Sequence, residues 1–245
     1  MSKLLRCFVF LLVLPASAAA ATAFDCTSPA PKSLSRTLLS KIESRYSTIN
    51  DLAAGFSQES YLLGADQRRY SLGLVKFLKP GKMDWVYGEP DVQRFVADGS
   101  NFWWYQPALE QVTVTDFKAG FSSELPVSFL LGLGKLSQSF RLESSCHGRR
   151  GIVVKLELLE KKEQSLDRFS LVVDEGDYTP IGAKIVDAGG NETTIIFTEI
   201  VVNSGLPESA FKFEPPHGVD IVDHRTAIRP PEPLVERDLN KKDQN

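Results

Sequence analysis

The chain has few of the residues that build metal centres, since its 245 residues include only three cysteines and three histidines. It has no excess of positive charge either: 28 Lys and Arg stand against 31 Asp and Glu, for a net charge of −3. Proteins that bind nucleic acid obtain much of their affinity by neutralising phosphates. We therefore expect no metal site, no cofactor and no nucleic-acid partner.

Motifs of the common catalytic classes are also missing. The sequence has no G-x-S-x-G nucleophile turn, no phosphate-binding loop, no H-E-x-x-H and no C-x-x-C. Cys146 and His147 are adjacent, but neighbouring side chains on a strand point to opposite faces, so we expect a turn beside a strand and not a dyad. The sequence predicts a protein that is not an enzyme.

The first 23 residues have the pattern of a secretory signal peptide. Lys3 and Arg6 precede an apolar run that ends at Leu14, and small residues follow from 16 to 23. We predict cleavage after Ala23, with 16–18 as the alternative cleavage motif. No later run approaches the roughly 20 apolar residues of a membrane-spanning helix. We expect a soluble, exported, periplasmic protein.

Two cysteines remain after the predicted cleavage. Cys26 is not expected to carry a lipid, because Phe24 and Asp25 replace the small residue that a lipidation site requires before the cysteine. In an oxidising compartment, Cys26 and Cys146 either form a disulfide or stay as two free thiols.

The mature chain begins with helical periodicity and continues with short strands. Apolar residues recur every three or four positions over 33–50, which predicts one amphipathic helix. A glycine-loosened apolar helix or helix-loop is expected over 125–140. Strands separated by turns favour one antiparallel sheet, strongly curved or closed. The expected strands are an alternating segment over 53–58, then Leu72–Leu78, Met83–Tyr87, Val92–Ala97, Phe102–Tyr105, one that starts at Val112, Ile152–Leu159, Phe169–Val173, Ile181–Val186 and Thr193–Val201. From 225 to 245 the chain is rich in proline and charge, as in a flexible tail.

Large apolar side chains are concentrated on these strands. Residues 102–105 are four consecutive aromatics, and a strand sends two of them to each face. A curved sheet, a covering helix and a second apolar helix together favour an apolar cavity. Such a cavity suits acyl chains, because burying each CH₂ contributes about 0.8 kcal/mol.

Three segments resemble a known family, the LolA-type periplasmic lipoprotein carriers. Segment 73–85 (G-x-V-x-F-x-K-P-G-K-M-D-W) resembles the family's strand followed by R-P-N-x-F-R-W. Segment 98–112 resembles its D-G-x-x-x-W-x-Y-x-P-x-x-x-Q-V pattern, and segment 211–223 resembles its F-x-F-x-P-P-x-G-V-x-V pattern. The match runs from about 34 to 223, nearly the whole mature chain.

This resemblance implies a mainly β fold with α: an incomplete, strongly curved antiparallel β-barrel with helices forming a lid over an apolar cavity, all in one domain over 24–224. It implies a monomer that takes acylated lipoprotein from an inner-membrane ABC transporter complex and delivers it to an outer-membrane receptor. The candidate cavity wall is Phe56, Val75, Phe77, Trp85, Phe102, Trp103, Tyr105, Leu130 and Phe197. Strand alternation alone does not settle which of Trp103 and Trp104 faces the cavity. The candidate lid residues are Leu34, Leu38, Ile42 and Leu131.

One position departs from the family pattern. Where the family often has an arginine before the tryptophan, at a place where it can hold the lid closed, this chain has Asp84. An ionised carboxylate donates no hydrogen bond. We therefore expect lid closure to use another donor, and a related carrier of a different lipid stays an alternative.

A second hypothesis of another class is a periplasmic lipid- or peptide-sensing interaction domain, with the tail as a docking segment. A lipid-modifying enzyme would need a nucleophile that the sequence does not offer.

Overall fold

The computed structural model describes residues 23–117, 131–133, 135–160 and 166–225. Most of the predicted signal peptide and the tail after Arg225 lie outside these residues. The described chain forms one large open sheet with two helices, so the predicted mainly β class is confirmed.

The sheet has thirteen strands. In chain order the strands are β1 (Cys26–Pro29), β2 (Asp51–Leu62), β3 (Gln67–Leu78), β4 (Lys82–Tyr87), β5 (Gln93–Asp98), β6 (Asn101–Gln106), β7 (Gln111–Asp116), β8 (Phe140–Gly148), β9 (Ile152–Leu158), β10 (Leu166–Val173), β11 (Pro180–Asp187), β12 (Glu192–Val202) and β13 (Asp220–Asp223). The helices are α1 (Lys32–Ser47) and the single turn α2 (Leu136–Ser139).

The strand order across the sheet is β1-β8-β9-β10-β11-β12-β2-β3-β4-β5-β6-β7-β13. All neighbours are antiparallel except β13, which runs parallel to β7. The pairing of β12 with β2 joins the two halves of the chain. Because β1 and β13 are edges that do not meet, the barrel stays open.

Helix α1 packs on one face of this sheet, here called the inner face; the opposite face is the outer face. Leu38, Ile42 and Tyr46 are buried and recur every four residues, and Ile49 follows directly after the helix. They belong to one buried cluster with residues of β2–β5 and β8–β12. The sheet therefore curves around the helix. Among the described residues, no helix is long and apolar enough to cross a membrane.

Three strands were missed in the sequence, namely β1, β8 and β13. Residues 140–148 carry too many polar side chains to show strong alternation, yet they pair with β9 along their whole length. Cys146 and His147 lie on β8, so the expected turn there is wrong. Of the helix expected over 125–140, the described residues 131–133 form a turn, only 136–139 form the helical turn α2, and Phe140 already begins β8.

Candidate functional site

Aromatic side chains form the centre of the inner face. The ring of Trp85 lies 4.9 Å from the ring of Phe56, 6.0 Å from that of Phe77 and 6.3 Å from that of Phe197, measured between centroids. Val75 is buried in the same cluster. The structure thus brings together five of the nine predicted wall residues.

Gly73 makes this aromatic packing feasible. It lies opposite Phe56 in the register of β2 and β3. A Cβ at position 73 would lie 2.6 Å from Phe56 Cε1 and 2.0 Å from the carbonyl oxygen of Val86. Only glycine lets the Phe56 ring approach the backbone of β3 so closely. The ring then contacts Tyr87, with 5.0 Å between centroids.

The predicted lid residues lie against this aromatic cluster. Leu38, Ile42 and Leu131 are fully buried in it, and Leu34 packs on it in a partly buried position. In this arrangement α1 lies directly on the candidate wall. The helix would have to move for a long acyl chain to enter between them.

Polar side chains hold α1 at its outer edge. Arg45 donates to the Thr179 hydroxyl at 2.9 Å and pairs with Asp177 at 2.7 Å. Burial alone would raise the pKa of the Asp177 carboxyl. Hydrogen bonds from Thr179 and the positive charge of Arg45 outweigh that effect and hold the pKa below its usual range. The Lys41 ammonium donates to the Tyr178 hydroxyl at 3.0 Å. These contacts are partly solvated side-chain contacts, which are individually weak.

Lys79, at the end of β3, contacts the C-terminal turn of α1. Its ammonium donates to the backbone carbonyl of Tyr46 and lies 3.6 Å from the centroid of the Tyr46 ring. Gly132 packs on the stem, since a Cβ there would lie 2.7 Å from Lys79 Cδ. Burial lowers the pKa of Lys79 to about 8. Lys79 is therefore a donor that joins the sheet, the helix and the 131–133 segment.

Asp84 occupies the family's lid-latch position in the sequence, where lid closure was expected to use another donor. Asp84 lies on the outer face, away from α1, where its carboxylate accepts from Arg94 Nε at 2.7 Å. Strand alternation explains this placement, because Asp84 is adjacent to Trp85 and must face the other way. The sequence does offer another donor for the lid, namely Lys79. It is the first residue of the K-P-G segment and resembles the first residue of the family's R-P-N.

Strand β6 divides its four aromatics between the faces. Phe102 and Trp104 stack on the inner-face ring of Phe95, with centroids 5.9 and 5.7 Å away. Trp103 and Tyr105 instead contact Phe213 on the outer face, at 5.6 and 5.9 Å. Phe102 therefore stays in the candidate wall. The side chains of Trp103 and Tyr105 lie on the outer face. Trp104, which was not among the predicted wall residues, lies on the inner face.

Leu130 lies outside the described residues. Cys26 and Cys146 are joined by a disulfide with 5.6 Å between Cα atoms. This bond ties edge strand β1, which directly precedes α1, to β8. It therefore fixes the start of the candidate lid to the sheet.

At one end of the inner face there is an opening of about 800 Å³. Its lining is polar on the β2–β3 side, where Gln58, Ser60 and Arg69 lie, and Tyr87 lines its inner end. The Tyr87 hydroxyl donates to Gln58 Oε1 at 2.9 Å. The opening, here called the mouth, thus leads from a polar rim to the aromatic cluster.

The described structure is an open sheet curved around a covering helix, with an aromatic interior and a polar mouth. A family model described as "Outer membrane lipoprotein carrier protein LolA" matches residues 47–214. The chain belongs to this family, whose members are binding chaperones and not enzymes.

Curated relatives agree with this assignment, and a solved structure shares the fold. The outer-membrane lipoprotein carrier protein of Chromobacterium violaceum is 30% identical over 209 residues, covering 85% of this chain and 96% of the relative. That of Bordetella pertussis is 32% identical over 185 residues, covering 74% and 84%. The crystal structure of an uncharacterized conserved protein from Thermus thermophilus has a TM-score of 0.50 at 15% identity, covering 77% of this chain and 98% of that chain.

Proposed function

We propose that this protein carries acylated lipoproteins through the periplasm, from the inner to the outer membrane, by holding their acyl chains on the inner face beneath α1. The observation that carries the proposal is an aromatic inner face covered by a helix whose polar ties are side-chain contacts, in a chain of the lipoprotein carrier family. Binding and release need no covalent step.

The proposed cycle has two partners besides the cargo. An inner-membrane ABC transporter complex would supply the lipoprotein, and an outer-membrane receptor would accept it. Export would remove residues 1–23 and leave a periplasmic domain over 24–224 with a tail over 225–245. Helix α1 would move away from Phe56, Trp85 and Phe197 as the acyl chains enter, because these rings are buried beneath it.

The test isolates the protein from the periplasm of cells that express the full chain, followed by mass spectrometry of its organic extract. Wild-type protein is expected to carry acylated lipoprotein. Phe197→Glu places a charge on the inner face and is expected to abolish this cargo, while Thr198→Glu, on the exposed outer face of the same strand, leaves it in place.

Circular dichroism and an intact disulfide check that both variants fold. Wild-type protein equally free of acyl groups with and without membranes present would contradict the proposal. Capture of a signalling ectodomain, in place of lipoprotein and transporter subunits, by cross-linking in cells would favour the interaction-domain hypothesis.

A further inference from the structure

The three tryptophans differ in how their indole N–H groups are satisfied. Trp103 donates to Asp98 Oδ2 and Trp104 to Gln93 Oε1, each at 3.1 Å. Trp85 has no acceptor for its Nε1 within the part of the chain that the structure describes. It is also the most buried of the three, with 6% of its surface exposed. A buried polar group of this kind normally has a hydrogen-bond partner.

The surroundings of Trp85 explain why no side chain serves as the acceptor. Its described ring neighbours are Phe56, Phe77, Tyr87 and Phe197, and three of these carry no polar atom. The Tyr87 hydroxyl donates to Gln58 Oε1 and makes no hydrogen bond with the Trp85 indole N–H. A contact between the N–H and an aromatic face is much weaker than a hydrogen bond to oxygen.

A second orphaned group lies on the same face of the sheet. The Thr115 hydroxyl oxygen is covered and has no hydrogen-bond partner among the described residues. Thr115 is directly opposite Phe102 in the register of β6 and β7, and directly opposite residues share a face. Both orphaned groups of the described chain therefore belong to the inner face.

A ligand acceptor would satisfy these groups. We infer that the Trp85 indole N–H donates a hydrogen bond to the ester carbonyl oxygen of a bound acyl group. Thr115 lies on β7, three strands from β4, so its hydroxyl would meet a different part of the same ligand. The inference rests on the proposed function and adds a substrate class to it: the inner face recognises acyl esters and not merely hydrocarbon.

The position of Trp85 relative to the mouth fits a carbonyl. Tyr87 lines the mouth and stacks on Trp85, with ring centroids 6.3 Å apart and planes 19° apart. If the polar end of a ligand lies beside Gln58, Ser60 and Arg69 at the mouth, its ester groups lie about one aromatic ring further in, beside Trp85. Its hydrocarbon would then continue along the apolar rings beneath α1.

The test compares two ligands that differ only at the carbonyl: dioctanoylglycerol and the corresponding dioctyl glycerol ether. Both compete with a fluorescent alkyl probe bound to the full chain. Wild-type protein is expected to bind the ester about tenfold more tightly than the ether. In Trp85→Phe the ester affinity should fall to that of the ether, while the ether affinity changes less than twofold. Trp103→Phe removes an outer-face indole and is expected to keep the ester preference.

A second measurement follows the ligand's effect on the wild-type protein and does not use Trp85→Phe. Indole ¹⁵N labelling gives three N–H resonances from the three tryptophans, assigned with Trp103→Phe and Trp104→Phe. The ester is expected to move the Trp85 proton downfield by several tenths of a ppm, and the ether is not.

Equal binding of ester and ether by wild-type protein, or equal loss of both in Trp85→Phe, overturns the inference and leaves the carrier function standing. If wild-type protein binds neither ligand nor any acylated lipoprotein, the proposed function fails, and the inference with it.

Discussion

The two faces of the sheet are covered in different ways, although both carry aromatic rings. The outer face of β4–β7 is covered by the C-terminal segment, with Phe211 buried and Phe213 against Trp103 and Tyr105. That segment ends in β13, which adds a full strand to the sheet through backbone hydrogen bonds. The inner face is covered by α1, which pairs with no strand and is held by its buried apolar side chains and by polar side-chain contacts such as those of Arg45 and Lys79.

This difference separates a fixed cover from a movable one. Backbone pairing cannot be exchanged without losing a ladder of hydrogen bonds. The apolar contacts of α1 can instead be replaced by those of an acyl chain, and its partly solvated polar contacts can be broken individually. The outer cover is therefore expected to stabilise the fold, and the inner cover to control access. Four predictions test that division.

The largest effect is expected at the fixed cover. Phe211→Ala removes a ring that is 1% exposed and should lower the free energy of unfolding by about 3–5 kcal/mol. Urea denaturation measures it. Phe213→Ala, at a partly exposed ring, serves as the control with a smaller loss. Faster lipid exchange in Phe211→Ala under native conditions would contradict a purely structural outer cover.

A smaller loss of stability is expected at Asp84, the residue at the family's latch position. Asp84→Asn removes the charge of the buried carboxylate that pairs with Arg94. This should lower the free energy of unfolding by about 1–3 kcal/mol. Because Asp84 faces away from α1, the rate of lipid uptake measured with a fluorescent acyl probe should stay unchanged. An uptake rate that rises severalfold in this variant would restore Asp84 as the latch.

At the inner cover, a substitution is expected to change the rate of lipid uptake. Lys79→Met keeps the packed stem but removes the donor to the Tyr46 carbonyl. A net contribution of about 1 kcal/mol from that hydrogen bond corresponds to roughly fivefold faster lipid uptake. Lys79→Arg keeps a cationic donor and serves as the control. If uptake is equal in wild-type and Lys79→Met proteins, Lys79 does not hold the helix.

The last prediction is a pH dependence from the same residue. Burial lowers the pKa of Lys79 to about 8, from an ordinary value of 10.5. Between these two pH values the folded protein has released the proton and the unfolded chain still holds it, so this residue makes stability rise with pH. The difference in urea stability between wild-type and Lys79→Met proteins, followed from pH 7 to pH 11, isolates the contribution. A pH-independent difference would contradict it.

Much of the fold could be predicted from the sequence because apolar periodicity is strong where elements are half buried. Helix α1 and the strands from β3 to β6 and β9 to β12 were expected within a few residues of their observed bounds. Strands β1, β8 and β13 were missed because edge and polar strands bury little surface and alternate weakly. Their pairing partners are distant in sequence.

The candidate site was predicted less well, for a geometrical reason. Strand periodicity separates two faces but does not say which one is inner, so Trp103 and Tyr105 were assigned to the wrong side. Gly73 settles the packing of Phe56, yet only the register of β2 and β3 shows that the two residues meet. Lys79 and Tyr46 are likewise brought together only by the folded chain.

The most direct test is photo-cross-linking with a lipoprotein whose acyl chains carry a diazirine group, followed by peptide mapping. The account predicts labels on the inner face, at Phe56, Phe77, Trp85 and Phe197. Labels confined to outer-face residues such as Trp103, Tyr105 and Phe213 would contradict it.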